Sequence, residues 1–463
     1  MTSRTTRDRI LYTDLIPSKT GCRRPTTSSP RKTSSRLAVE RPVCLWRLTV
    51  LSFVLFSGCA VSDAPRSDAP SGTPTVATGA ERLLTEPGLL PSDARVGLIV
   101  NHTSVTSNGH LIDVLHQRED ITVAALFGPE HGIRGDADAG APVQDGRDVV
   151  TRAPIYSLYG DTRQPTPSML EGVDLLVFDM QDVGARFYTY ISTMGLAMQA
   201  AARNNIPFVV LDRPNPLGGE LVDGYVLEPG QESFVGMYPI PVQHGMTVGE
   251  LARMIQGEAW LEDVADLDLR VVPMEGWARS MLWPGTGLAW IAPSPNLPTF
   301  EAALLYAGTC FIEATSASEG RGTEAPFLTA GAPWLNAGAV ASEIRSHTGQ
   351  GLSLTTGTIT PRSIPGVSTH PKWQDTAINT VHFTVEQPDA VRPLAAGIAL
   401  LAAFSRQAPD STFLDIRWMR RLAGTDRLHA DLMAGHAPET IMSSWAHEVR
   451  AFHTLRAPYL LYD

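Results

Sequence analysis

The chain has 463 residues, 43% hydrophobic and 18% charged, which is a globular balance with enough length for two domains. Residues 1–58 hold 11 of the 37 basic and 3 of the 48 acidic side chains, so residues 59–463 carry 26 basic against 45 acidic, a net charge of −19. An acidic surface argues against nucleic acid as a partner. The four cysteines, Cys22, Cys44, Cys59 and Cys310, form no CxxC and no dense framework, which excludes a disulfide scaffold and a zinc ribbon.

Residues 1–47 are rich in Arg, Ser, Thr and Pro, a composition that cannot bury a core. Arg47 then precedes an apolar run, Leu48 to Phe56, that is too short to span a bilayer and ends in small residues and Cys59. This reads as a secretory signal peptide. Its end resembles a bacterial lipobox with Cys59 as the lipidated first residue of the mature chain, although Phe56 stands where such motifs usually carry Leu. The basic region is long for a signal peptide, so a translation start near Val43 is expected. The protein is expected to be exported, either membrane-anchored through Cys59 or periplasmic. Residues 59–80 read as a flexible Ser/Pro/Gly/Ala tether.

The folded region opens near Glu81. Four apolar runs follow, each ending in polar or Gly/Pro residues: "RVGLIV" before "NHTS", "ITVAALFG" before "PEHG", "DLLVFDM" before "QDVGAR" and "PFVVLD" before "RPNPLGG". Helical segments lie between them, such as "GHLIDVLHQRE" and "TYISTMGLAMQAAARNN". Continuous apolar strands alternating with helices predict βαβ units and a parallel sheet. In such a sheet ligands bind outside the carboxyl ends of the strands. Here those ends carry Asn101 and His102, Glu130 and His131, Asp179 with Gln181 and Asp182, and Asp212 with Arg213 and Asn215.

Further along, "MTVGELARMIQGEAWL" predicts a helix with Thr247 as N-cap and Glu250 completing a capping box. "LDLRVVPM" predicts a strand entering a Trp/Gly/Pro loop that holds Trp277, Trp283 and Trp290, read singly as core and as a cluster as placing one or two of them at the cleft. A second block begins near residue 305, giving domains at 81–305 and 306–463. Its first polar loop, "EATSASEGRGT", holds Glu313, Glu319 and Arg321, and reads either as a hinge or as a carboxylate and an arginine reaching the cleft. Cys310 reads as a small buried hydrophobe.

No GxSxG, HExxH or GxxxxGK[ST] motif is present, which lowers the hydrolase-elbow, zincin and nucleotide readings. "DADAG" at 136–140 is weak evidence for a metal loop. Glu130 and His131 suit either a turn cap or a general acid with its partner, and the residues alone do not separate the two. Tyr188 and Tyr190 beside Asp179, Asp182 and Arg186 would suit a sugar-binding wall.

Eight stretches together resemble one family: "GPEHGIRG", "PIYSLYG", "DMQDVGARFYTYISTM", "LDRPNPLGG", "PVQHGMTVGELA", "PSPNLPT", "EGRGTEAPF" and the terminal "YLLY". They look like the NamZ family, formerly DUF1343, of exo-acting peptidoglycan β-N-acetylmuramidases, and the match runs from about Val96 to the end. The resemblance implies a Rossmann-like N-terminal domain, a smaller α/β C-terminal domain and an active-site cleft between them. It implies release of N-acetylmuramic acid from the non-reducing end of peptidoglycan fragments, with no metal or cofactor. Two stretches depart from the pattern: "EATSASEGRGT" has Ala317 near where an Asn is usual, and "STHPKWQDTAINTVHFTV" lacks the expected Cys-Gly-Val.

By that resemblance Glu130 is the catalytic acid, held by His131. The second group is open among Asp179, Asp182, Asp212 and Glu319, with Asp182 taken first. The substrate's acetamido group is the alternative nucleophile. The lactyl carboxylate calls for a guanidinium fork, for which Arg134, Arg186, Arg213 and Arg321 are the candidates. Asn101, Tyr188, Asn215 and His244 complete the candidate substrate-binding set. Two rival classes stay open: a non-catalytic muropeptide-binding lipoprotein and a metal-dependent hydrolase.

Overall fold

The computed structural model describes residues 76–129, 133, 146–160 and 162–463. A seven-stranded sheet is its centre. Its strands are β1 (Ala94–Val100), β2 (Ile121–Gly128), β3 (Gly146–Arg147), β4 (Pro154–Ser157), β5 (Leu175–Asp179), β6 (Phe208–Leu211) and, after a small hairpin of β7 (Asp223–Val226) and β8 (Pro241–Gln243), β9 (Leu269–Val272). The order across the sheet is β9-β6-β5-β1-β2-β4-β3. All neighbours are parallel except the short edge strand β3, which runs antiparallel to β4. The five apolar runs of the sequence all become strands of this sheet. The edge pair β3 and β4 is the addition, because it is too short to show a pattern.

Both sheet faces are covered, which is why the strands are apolar at nearly every position. Ile99, Phe127, Leu176, Phe178, Phe208 and Val210 point to one face. Leu98, Leu126, Val177 and Val209 point to the other, where the short crossover helix α1 (Leu111–His116) supplies Leu111, Ile112 and Leu115. On the first face lie α2 (Tyr190–Arg203) and α3 (Val248–Gly257). The capping box of α3 forms as the sequence predicts: Thr247 Oγ1 accepts from the Glu250 amide, and Glu250 reaches back to the Thr247 amide.

The same apolar core continues into the second half of the chain. There α4 (Phe300–Thr309), α5 (Ala337–Thr348) and α6 (Pro393–Gln407) pack beside a three-stranded antiparallel sheet of β10 (Thr329–Ala332), β11 (Leu352–Ile359) and β12 (Ile378–Val385). Helices α4 and α6 cross at Gly308 and Gly397, where a Cβ on Gly308 would collide with the Pro393 carbonyl. Cys310 is buried and unoxidised. Trp277 and Trp283 are buried and Trp290 is half-buried, as core residues are expected to be.

Strand order reverses at β1: β2 lies on one side of it and β5 on the other. The crevice outside the carboxyl ends of β1 and β5 is therefore where a fold of this type holds its ligand.

Candidate active site at the carboxyl edge of the sheet

The ends of β1 and β5 are stitched together. Asn101 Oδ1 accepts from the Thr103 amide (2.9 Å) and from Thr103 Oγ1 (2.6 Å), and the Gln181 amide donates to Thr103 Oγ1 at 3.0 Å. Ser104 Oγ donates to the Asp179 carbonyl. The loop Trp290–Pro298 is drawn over this edge by His102 Nε2, 2.7 Å from the Ala292 carbonyl, and by Tyr190 OH, which donates to the Pro293 carbonyl.

Asp179 and Arg213 form a buried bidentate pair: Nε to Oδ1 at 2.5 Å and Nη2 to Oδ2 at 2.9 Å. Nη2 also donates to the Val105 carbonyl, while Nη1 makes no bond among the described residues. The Gln181 amide nitrogen donates to the carbonyls of Asp182 and Pro214, leaving its Oε1 without a partner. Thr103, Val105, Gln181, Arg213, Trp283 and Ile291 help line a cavity of about 660 Å³ at this edge.

Asp182 lies one step further. Its Oδ2 accepts from the Gly184 amide at 2.7 Å, and its Oδ1 accepts no hydrogen bond among the described residues. Burial pushes its carboxyl up to about 7, against the pull of the Gly184 and Val183 amides. His244, fully buried, takes the Met246 amide on Nδ1, which leaves Nε2 as the protonated nitrogen, 3.8 Å from Asp182 Oδ2. Burial, assisted by the charges of Arg456 and Arg186, pulls this imidazole down to about 3, so it is neutral at pH 7.

Three candidates prove to be scaffold. Arg186 was expected as a receptor for a substrate carboxylate. Instead it is wholly buried, with Nη1 on the Tyr225 and Ile240 carbonyls and Nη2 on the Leu422 carbonyl. Its reach inward, across the small hairpin, commits both terminal nitrogens to backbone carbonyls, and only the buried Nε has no partner among the described residues. Asp212 accepts from the Arg213 and Gly249 amides, Thr247 Oγ1 and Tyr462 OH, four donors in the interior. Asn215 bridges the Met246 carbonyl and the Leu217 amide. These residues hold the strand ends in place rather than face a substrate.

Tyr188 is buried in an aromatic chain. Its ring stands edge-on to Tyr190 at 4.8 Å and to Tyr306 at 6.1 Å, and Tyr306 meets Phe327 at 4.8 Å. Over Phe327 sits the guanidinium of Arg321, 5.1 Å from the ring centre. Arg321 donates to Glu313 at 2.7 Å and lies 3.4 Å from Glu319 Oε1. The aromatic chain thus connects the strand-end residues to the "EGRG" loop. Glu130, His131, Arg134 and Cys59 lie outside the described residues.

Two residues that sequence reasoning did not single out belong to this neighbourhood. Asn296, in the "PSPNLPT" stretch, donates to the Val367 carbonyl at 2.7 Å and keeps a buried Oδ1 without a partner. Lys372 lies 3.1 Å from Glu319 Oε2. The second could have been noticed as the sole lysine beyond Lys32.

Comparison with known proteins agrees with this architecture. The family model described as "Exo-beta-N-acetylmuramidase NamZ, N-terminal" matches residues 96–301, and its C-terminal counterpart matches residues 304–462. A peptidoglycan β-N-acetylmuramidase NamZ of Bacillus subtilis (strain 168) is 40% identical over 424 residues, covering 90% of this chain and all of that protein. The crystal structure of a DUF1343 family protein from Bacteroides fragilis NCTC 9343 superposes with a TM-score of 0.77 at 34% identity, over 85% of this chain and 100% of that one. A second DUF1343 structure from the same organism gives 0.70 at 33% identity, over 84% and 99%. With both halves matched in order and nearly the whole length covered, the chain belongs to the NamZ family, the former DUF1343 family.

Proposed function

We propose that this protein is an exo-acting glycosidase that removes N-acetylmuramic acid from the non-reducing end of peptidoglycan fragments such as MurNAc–GlcNAc, in cell-wall turnover. The observation that carries the reading is the 40% identity to a peptidoglycan β-N-acetylmuramidase across that relative's entire length. The break between the two family models, after residue 301 and before 304, supports a division near residue 305 into a sheet domain and a smaller C-terminal domain.

Cleavage of a glycosidic bond needs an acid on the leaving oxygen and a group to meet the oxocarbenium-like carbon. Glu130, which follows β2 in the sequence, gives its proton to the leaving oxygen, and His131 holds it. Asp182 is the second group. Its free Oδ1 is an acceptor, and a carboxyl poised near 7 is matched to taking a proton from the attacking nucleophile at neutral pH. Arg213, through its unused Nη1, and Arg321 and Arg134 remain the candidates for the lactyl carboxylate. Asn101, Asp179, Tyr188, His244 and Glu319 shape the surroundings. The protein is exported and held at a membrane by lipid on Cys59, a proposal that rests on the apolar run and small residues before that cysteine.

The test is incubation with MurNAc–GlcNAc followed by mass analysis. Free N-acetylmuramic acid and N-acetylglucosamine are the expected products. Stoichiometric binding of an uncleaved disaccharide would instead make the protein a muropeptide carrier. Activity lost to EDTA and restored by a divalent ion would make it a metal-dependent hydrolase.

A further inference from the structure

The segment Pro361–Thr376 contains one of the sequence's two departures from the family pattern, and it joins elements far apart in the chain. Asn296 reaches it from the loop over the sheet edge, through the Val367 carbonyl. From the other side the Arg362 amide donates to the Gly322 carbonyl at 2.8 Å. Gly322 has φ +76°, and a Cβ there would collide with the Arg362 carbonyl and Pro371. The "EGRG" loop and the 361–376 segment are thus in backbone contact.

At the centre of this contact stands Lys372. Its ammonium donates to the carbonyls of Ile312 (2.9 Å), Glu313 (3.0 Å) and Ala317 (3.0 Å). Those three bonds exhaust its three N–H donors. Trp373 adds a bond from Nε1 to the Ser316 carbonyl at 2.7 Å. The turn carrying Glu313 and leading into Glu319 is therefore clasped from below. Glu319 is only 3% exposed, and its Oε2 accepts no hydrogen bond although it lies 3.1 Å from the ammonium. Lys372 balances that oxygen by charge alone while its protons stay on the turn. On the far oxygen Arg321 stands 3.4 Å away and is itself tied to Glu313.

We propose that Lys372 is a positioning residue for the proposed muramidase reaction: it sets the place and charge of the Glu319–Arg321 pair, which in turn meets the substrate. Its effect passes through Glu319. Removing it leaves the buried carboxylate only Arg321, which it shares with Glu313, as counter-charge, so the carboxylate moves or takes a proton. This rests on the reading that Glu319 and Arg321 face the substrate.

The experiment is a double-mutant cycle on the full chain, read as kcat and KM for MurNAc–GlcNAc and as calorimetric affinity for N-acetylmuramic acid. Lys372→Met should raise KM and weaken that affinity at least about tenfold, and Lys372→Arg should restore most of both. In the Glu319→Gln background, Lys372→Met should cost much less than in wild type, because only the three carbonyl bonds to the turn are then lost. The double variant removes the unpaired charge but not the loss of the three carbonyl bonds, so circular dichroism checks its fold and its comparison with Glu319→Gln decides the matter. Wild-type affinity in Lys372→Met, or a tenfold loss added on top of Glu319→Gln, overturns the proposal. A wild-type protein that binds N-acetylmuramic acid but cleaves nothing defeats the glycosidase reading instead, and the affinity cycle still tests Lys372.

Discussion

The Nε2 of His244 faces Oδ2 of Asp182 across 3.8 Å, and among the described residues no nearer acceptor takes its proton. Burial moves the two groups in opposite senses, the carboxyl up to about 7 and the imidazole down to about 3, so near neutral pH the imidazole is uncharged while the carboxyl is in mid-titration. Their pH signatures are therefore opposed. Asp182 has a folded value above its unfolded one, so its contribution to stability declines as pH climbs from about 4 to 7 and is level beyond. His244 has a folded value below its unfolded one, so its contribution is complete above about 6.5 and is lost as pH falls toward 3. Melting curves of Asp182→Asn and His244→Gln between pH 4 and 8 should diverge from wild type in opposite directions. Parallel curves would contradict the assignment. If Asp182 is the proton acceptor, turnover of wild type also rises through about pH 7.

Glu130→Gln should preserve the circular dichroism spectrum and lower kcat by about 10²–10⁴, the usual contribution of a general acid. Near-normal hydrolysis of a chromogenic N-acetylmuraminide by this variant would remove Glu130 from the mechanism.

Arg186→Met should act through stability. It deprives the Tyr225, Ile240 and Leu422 carbonyls of a donor, at a cost of about 3 kcal/mol or more. The expected result is a melting temperature lowered by several degrees, with KM of the remaining folded enzyme unchanged. A raised KM at unchanged melting temperature would return Arg186 to the substrate site.

Arg213→Met strands Asp179 in the interior and should cost about 3–5 kcal/mol. The double variant Asp179→Leu/Arg213→Met should recover most of that loss in denaturant midpoint, yet remain impaired in binding N-acetylmuramic acid if Nη1 is a ligand contact. Full affinity in the double variant would assign the pair to structure alone.

How much of this was legible in the chain depends on how far each residue's partners lie from it. The strands 94–100, 121–128, 175–179, 208–211 and 269–272 announce themselves because each is a continuous apolar run, and the capping box of α3 is written within four residues. Asp212, Asn215 and Arg186 carry the same polar signature at the same strand ends as Asp182 and Asp179. Their interior role comes from Thr247, Met246, Ile240 and Leu422, between 31 and 236 residues away. A one-dimensional pattern cannot tell a buried carboxylate that keeps an unbonded oxygen from one that meets four donors. Lys372 escaped for a related reason, since the carbonyls it donates to on Ile312 and Ala317 lie 60 and 55 residues earlier in the chain.

Tyr462→Phe removes a donor to Asp212 and an acceptor for the Met274 amide. A loss of about 1–3 kcal/mol is expected from equilibrium unfolding, with kcat unchanged. A variant as stable as wild type would show that the tail packs without this bond.

That last bond has a consequence in time as well as in energy. Tyr462 and Asp212 are 250 residues apart, and Leu461 likewise closes on Glu250 across 211. The sheet's own polar hub is therefore unfinished until the final residues of the chain have been made. Contacts of such long range must pay their loop-closure entropy before they return anything, and they form late. Docking of the C-terminal tail onto the sheet is therefore a late step of folding, set by chain topology rather than by local propensity.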